Sequence, residues 1–392
     1  MSAPAEGARP LPSLFVAAGA AAGVGAWLVG HRRFSRGTRV SRTVAVVGAA
    51  AVLAVFVAAL VPLRDPSATP EVPPGAGTWR LPDGGTLAYG VVRADGGAEA
   101  TPVVVLHGGP GVPDTAGLLR AFGPLAADGH DVWSYDQRGT GRSTRLTDPR
   151  GYTTALGTAD LEQVRQRIGA ERLVLAGHSY GAYLAAAYTA EHPGRVERVV
   201  LLSPGALSDH GMGGNPQERL TGEERRRVYG LLLSPRALLT FALVQVDPVA
   251  AHALAGDREV DARQDLVYAE TLPGLHCRGR TGPALHGLGF YAATVPQSWR
   301  RPAEPDVTAR LGRPEVPALV VKGQCDYLDW ESATEYLRAF PDSRLLYLRR
   351  AGHDVHVDEP RRVRDAVADF VAGRPVAGTL DDPTTEPGDY QP

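Results

Sequence analysis

Leu173-Val174-Leu175-Ala176-Gly177-His178-Ser179-Tyr180-Gly181, running on into the helical stretch Ala182 to Glu191, is the segment whose reading decides the fold. Four consecutive apolar residues have the character of a strand buried on both faces. The residues after them match G-x-S-x-G, and a helix follows. A strand that turns this sharply into a helix leaves the serine exposed in a strained conformation, and glycines two positions either side keep neighbouring backbone from colliding there. The N–H of Tyr180, at the start of the helix, then faces the oxygen of whatever Ser179 attacks. An ordinary strand-to-helix turn with a buried serine is the alternative, and the flanking strand and helix favour the reactive serine.

Outward from this turn, apolar runs alternate with helical patterns. Trp79 to Val92 carries two short strand patterns around Pro82-Asp83-Gly84-Gly85, a hairpin signal. Thr101 to Leu106 reads as a covered strand ending in His107-Gly108-Gly109-Pro110-Gly111, a turn that leaves backbone N–H groups free to point at an anion. Asp131 to Tyr135 is the next strand, followed by Asp136-Gln137-Arg138-Gly139-Thr140-Gly141-Arg142-Ser143, and Thr158 is expected to cap a helix with Asp160 and Glu162 in its first turn. Beyond the helix that stops at His192-Pro193-Gly194, strands are expected at Val196 to Leu202, Val316 to Val321 and Ser343 to Leu348, with helices at Glu331 to Phe340 and Glu359 to Val371. Such alternation implies an α/β fold, a mostly parallel sheet with helices on both faces. It breaks down over residues 205–305, where helices are expected at Glu218 to Leu233 and Pro235 to Val246, so this stretch reads as an inserted, mainly helical cap between two parts of the core, 79–204 and 306–372. The tail 373–392, acidic and rich in Pro, Gly and Thr, reads as disordered.

The chain has 392 residues, 44% of them hydrophobic and 21% charged, a balance that supports a large core. A net charge of −2 supplies no basic field for nucleic acid. Lys322 is the only lysine, so the positive charge is otherwise arginine. Two apolar segments, 11–30 and 44–63, are each about long enough for ~30 Å of hydrocarbon, and together they predict a membrane hairpin over residues 1–64. The five arginines between them, Arg32, Arg33, Arg36, Arg39 and Arg42, should stay in the cytoplasm, which makes the protein two-pass with its catalytic domain outside. A late, cleaved signal sequence over Arg32 to Leu63 is the alternative. Residues 65–78, rich in proline, read as a tether.

Three separated motifs, His107 to Gly111, Asp136 to Ser143 and Gly177 to Gly181, resemble in order and spacing the α/β-hydrolases of the proline iminopeptidase type, a family of serine peptidases. The resemblance covers about Trp79 to Val371, and its first two motifs also mark esterases of the same superfamily. It implies an α/β-hydrolase fold and a nucleophile, acid and base in the chain order Ser, Asp, His. Asp326, after the strand Val316 to Val321, stands where the family places its acid, with Asp329 and Asp358 as alternatives. His353, after the last strand, stands where it places its base, with His356 as the alternative. Gly109 and Tyr180 would supply the oxyanion hole, and His107 reads as structural support for its turn. No metal or cofactor is required, and no histidine pair has zinc-site spacing.

In the cap the likeness thins. The family commonly carries a Trp-Glu pair that helps bind a substrate's α-amine, whereas Trp299 is followed here by Arg300; Asp265 and Glu270 are the candidate replacements. The chemistry is therefore a serine hydrolase acting on peptides as an aminopeptidase, or on esters or small amides with the same triad, or else a non-catalytic relative that binds a ligand. Its partners would be a small peptide or ester substrate and a lipid bilayer. Cys277 and Cys325 are the only cysteines; a bond between them would pin the cap to the loop of Asp326, the alternative being two buried thiols.

Overall fold

The computed structural model describes residues 39–62, 68–208, 214–297, 307–311 and 316–392. Its strands are β1 (Gly77–Arg80), β2 (Thr86–Val92), β3 (Val103–Leu106), β4 (Val132–Tyr135), β5 (Leu173–His178), β6 (Val196–Leu202), β7 (Ala318–Cys325) and β8 (Ser343–Gly352). They form one sheet in the order β1-β2-β4-β3-β5-β6-β7-β8. β2 pairs antiparallel with β1 and β4, and every later pairing is parallel. All residues of β3 and β5 are buried, as their unbroken apolar sequences require of strands covered on both sides.

The helices are α1 (Arg39–Leu60), α2 (Thr115–Phe122), α3 (Thr154–Ile168), α4 (Tyr180–Glu191), α5 (Gly222–Leu232), α6 (Pro235–Val246), α7 (Pro248–Leu254), α8 (Asp257–Leu275), α9 (Phe290–Thr294), α10 (Thr308–Leu311), α11 (Glu331–Ala339), α12 (Val355–Asp358) and α13 (Pro360–Val371). Leu161 and Val164 of α3, Leu184 and Tyr188 of α4 and Tyr336 of α11 pack into one core cluster with β-strand side chains such as Val104 and Leu175. Leu118 and Phe122 of α2 and Val363 and Val367 of α13 pack into a second, with Val103, Val105 and Val174. Neighbouring residues of β3 and β5 thus divide between the two clusters, as alternation along a strand demands. Helices α5 to α9 form the expected insertion between β6 and β7.

Several expectations need correction. The cap of α3 is Thr153, whose side chain accepts from Leu156 N–H, and not Thr158; the helix starts a turn earlier and Asp160 lies buried in its middle. The expected cap helix at Glu218 begins at Gly222, because Thr221 and Glu224 form a reciprocal capping box there. The first expected membrane segment, 11–30, lies outside the described residues. The second is helical as α1, which begins at Arg39 among the arginines and ends at Leu60. Among the described residues no single helix is long and apolar enough to cross a membrane, so the hairpin finds no support in the fold. Instead the end of α1 packs on the cap: Arg236 Nη1 donates to the carbonyls of Ala59 and Leu60.

The tail is also not free. Tyr390 is buried against Trp330, Gln391 N–H donates to Gln324 O, and Asp389 accepts from Gln324 and Arg349. Polar composition suggested disorder, but one aromatic anchor and a few hydrogen bonds fasten the segment beside β7. Truncating that anchor, Tyr390→Ala, should lower unfolding free energy by about 3 kcal/mol in chemical denaturation, the usual cost of deleting a buried aromatic ring. A loose tail would give no change.

Candidate active site

Ser179 sits at the junction of β5 and α4 with φ of 54°, a conformation that costs a non-glycine residue of order 1–3 kcal/mol and persists only where its surroundings enforce it. They do so here. A Cβ on Gly177 would lie 2.2 Å from Gly181 O, and one on Gly181 would lie 2.4 Å from Leu106 O, so only glycine fits at both positions. The Ser179 N–H donates to Leu202 O and its carbonyl accepts from Gly205 N–H, tying the turn to β6.

Asp326 and His353 come from neighbouring strand ends, just after β7 and just after β8. His353 Nδ1 lies 2.8 Å from Asp326 Oδ1, which also accepts from Leu328 N–H at 3.1 Å. This bond fixes the imidazole tautomer and leaves Nε2 as the ring nitrogen for the serine. The carboxylate is wholly buried. Burial alone would raise its pKa, but the Lys322 ammonium 2.9 Å from Oδ2 and the His353 ring outweigh it and hold the group below the ordinary carboxylate value. The His353 loop is itself held from the cap side: its N–H donates to Leu275 O, and Gly352 N–H donates to Asp358, which also binds the His276 ring.

The two other motifs form a single platform. His107 Nε2 accepts from Gln137 N–H at 2.9 Å, so the hydrogen is on Nδ1, which donates to Gly108 O; burial lowers its pKa and favours this neutral form. Gln137 also donates to His107 O, Asp136 accepts from Thr115 and Arg142, and Arg138 forms a two-point ion pair with buried Asp160. This lattice carries Gly109, whose φ of 120° admits only glycine because a Cβ would meet Gly111 N at 2.4 Å. Gly108, Gly109, Ser179, His178 and His353 line one cleft of about 610 Å³.

Among the rival residues, Asp358 supports the end of β8, Asp329 is exposed, and His356 is buried near Asp114 with no hydrogen bond on either ring nitrogen among the described residues. The expected amine-binding carboxylates are elsewhere. Asp265 is consumed by the N–H groups of Gly287 and Leu288, Glu270 pairs with Arg227 at the outside of the cap, and Trp299 lies outside the described residues. Both acids lie on α8, but the face that reaches the cleft presents Tyr268 and Leu275. Sequence reasoning missed two carboxylates that do line the cleft, Asp114 and Asp354. The second adjoins His353, and burial raises its pKa against the pull of His353, His356 and His276. Position next to His353 was the available signal; nothing local marked Asp114, which also caps α2.

Cys277 and Cys325 are bonded across 48 residues, linking the cap just past the end of α8 to the residue before Asp326. A closed loop of that length restricts the unfolded chain by on the order of 4 kcal/mol in the entropy model. Thiol titration of the unfolded, unreduced protein should find no free thiol, and reduction should lower the melting temperature; two free thiols would contradict the bond.

The family model described as alpha/beta hydrolase fold matches residues 101–360, and the chain belongs to that family. It is similar to a probable proline iminopeptidase of Streptomyces coelicolor, 28% identical over 66% of this chain and 84% of the relative. The human 1-acylglycerol-3-phosphate O-acyltransferase ABHD5 is 27% identical over 70% of this chain and 78% of its own. In fold it is similar to the proline iminopeptidase of Mycobacterium smegmatis (TM-score 0.52, 23% identity, 76% of this chain and 98% of that one). The esterase RhEst1 of a Rhodococcus species gives the same TM-score at 21% identity, over 77% of this chain and 100% of that one.

Proposed function

We propose that the protein is a membrane-anchored serine hydrolase that removes N-terminal residues from peptides through an acyl-enzyme on Ser179. The observation that carries the reading is the buried Asp326–His353 pair opening on the same cleft as a serine held at positive φ. His353 Nε2 takes the Ser179 proton as Oγ attacks the carbonyl carbon, and Asp326 stabilises the imidazolium. The tetrahedral oxyanion accepts from the N–H groups of Gly109 and Tyr180, each such donor being worth about 3 kcal/mol. The imidazolium then protonates the leaving amine, and water repeats the sequence to release the acid. Ser179→Ala, His353→Ala and Asp326→Asn should each lower kcat on the order of 10³-fold or more without changing circular dichroism, because the three act as a unit. Retained turnover in Ser179→Ala would refute the reading.

The amine of an aminopeptidase substrate needs negative charge near the nucleophile, and the reading assigns it to Asp114 and Asp354. Asp354→Asn should raise KM for aminoacyl amides about tenfold or more, the loss of a charge-assisted hydrogen bond, while sparing a neutral ester. A carboxylesterase is the second reading. It is favoured by the cap's share of the described cleft lining, Tyr268, Leu275, Pro283 and Leu285, none of which carries a charge. Paired amide and ester substrates separate the two, and a phosphonate that fails to label Ser179 would leave a non-catalytic binding protein.

Attachment to a bilayer is supported by the apolar sequence of 11–30 and 44–63 and by the exposed Val46, Val52, Leu53 and Val57 of α1. With the arginines inside, protease added to spheroplasts should digest the hydrolase domain. Full protection behind a sealed membrane would contradict the proposed orientation.

A further inference from the structure

We propose that Lys322, the only lysine in the chain, is a positioning residue for this reaction: its ammonium, fixed beneath Asp326, keeps the carboxylate turned toward His353 and balances its charge. The inference rests on the serine hydrolase reading above.

A buried ammonium is costly, so a chain that otherwise uses arginine throughout should place one lysine in its core only where something compensates. The surroundings of Nζ are such a place. Its side chain has no solvent exposure, and Nζ donates to Leu328 O at 3.0 Å and to Ser332 Oγ at 3.1 Å. The hydroxyl hydrogen of Ser332 goes to Asp329 O, so Oγ is left as an acceptor for the amine. Nζ faces Asp326 Oδ2 at 2.9 Å, as two opposed charges and not as an aligned hydrogen bond. A neutral amine would turn its lone pair on a carboxylate at that distance. The contacts therefore fit the compact, three-donor ammonium, and the planar fork of arginine has a different geometry.

The two oxygens of Asp326 divide the work. Oδ1 serves His353 and Leu328 N–H, and Oδ2 faces Lys322, so the carboxylate cannot rotate without giving up one partner. Tyr390 closes the underside: its ring centre is 5.7 Å from Nζ, and its hydroxyl binds the Leu328 carbonyl and lies 3.1 Å from the Asp326 carbonyl. On the other side of the pair, the His353 ring meets His178 at 4.8 Å and Tyr327 at 4.6 Å, and Asp354 follows it in sequence. Burial and the two neighbouring histidines push His178 well down in pKa, and burial pushes Tyr327 up, so both are uncharged near neutrality. Asp354 is a carboxylate raised by burial, Asp329 is exposed on the lysine side, and Arg219 lies near enough to Asp326 to act on it through space. Of these charges only Lys322 touches the carboxylate directly.

The consequence has a definite sign. Without the cation, a lone negative charge on the pair is buried and uncompensated, so the pair takes up a proton at higher pH whichever partner receives it. The acidic limb of kcat/KM should therefore move up by about one pH unit in Lys322→Met, and kcat per active site, counted by phosphonate titration, should fall about tenfold to a hundredfold as the imidazole loses its fixed orientation. A merely structural role would lower the titratable fraction and leave the limb where it was, and that result would overturn the proposal. Lys322→Gln, which keeps donors for Leu328 and Ser332, serves if the methionine variant does not fold, with the same limb shift expected. Two further readouts need no turnover, and the first needs no variant. Selective ¹⁵N-lysine labelling of the wild type gives one side-chain signal, which should be that of an ammonium at pH 7; a neutral amine would end the proposal. The His353 ring titration by NMR should rise in either variant even if no substrate is ever hydrolysed, and an unmoved titration overturns the positioning role. Absence of all acyl chemistry with a shifted His353 titration would instead sink the hydrolase reading.

Discussion

Asp326 is a carboxylate without access to water, and the arrangement of the site follows from satisfying it. Moving an ion into a protein interior costs several kcal/mol even after relaxation, and the cost is offset only where partners surround it. Here they converge from separate parts of the chain: Lys322 from within β7, Leu328 from the next turn, and His353 from the end of β8. The cap adds Leu275, which holds the His353 N–H, and Cys277, which is bonded to the residue beside Asp326. The tail adds Tyr390 over the lysine. The cap and C-terminal segment, which look like appendages in the sequence, thus brace the loops that carry Asp326 and His353.

The elbow supplies the other half of the constraint. Its strain is tolerated because β5 lies at the centre of a sheet covered on both faces, with β3 and β6 as parallel neighbours. The same register sets Gly181 against the Leu106 carbonyl, so Ser179 and the glycine-rich loop after β3 approach as one unit. His107 and Gln137 then join that loop to the one after β4. The three motifs are distant in sequence, but they meet because parallel strands deliver their C-terminal ends to one edge.

That convergence explains what was legible beforehand. Buried parallel strands have unbroken apolar sequences, and reactive turns need glycines at fixed offsets, so the sheet, the elbow, Asp326 and His353 could be placed by number. Features that depend on distant partners could not. Lys322 stood out only as the sole lysine, because its partners Leu328 and Ser332 are ordinary residues. Asp265 and Glu270 were plausible amine binders until the rotation of α8 turned them toward Gly287 and Arg227. Asp114 was invisible because no motif includes it, and its place beside the cleft depends on how α2 packs. Thr158 was read as the cap with acidic residues after it, yet one of them, Asp160, serves Arg138 in the interior. The tail's polarity concealed a single aromatic anchor.

In the proposed hydrolase the acyl-transfer groups all belong to the core, and the cap decides which substrates reach them. The account stands or falls on covalent chemistry at one oxygen. Rapid quenching during turnover of an activated acyl substrate, followed by tryptic digestion and mass spectrometry, tests it most directly. The peptide Leu173 to Arg195 should carry the acyl group on Ser179. Turnover with that peptide unmodified, or an acyl group trapped on any other residue, would contradict it.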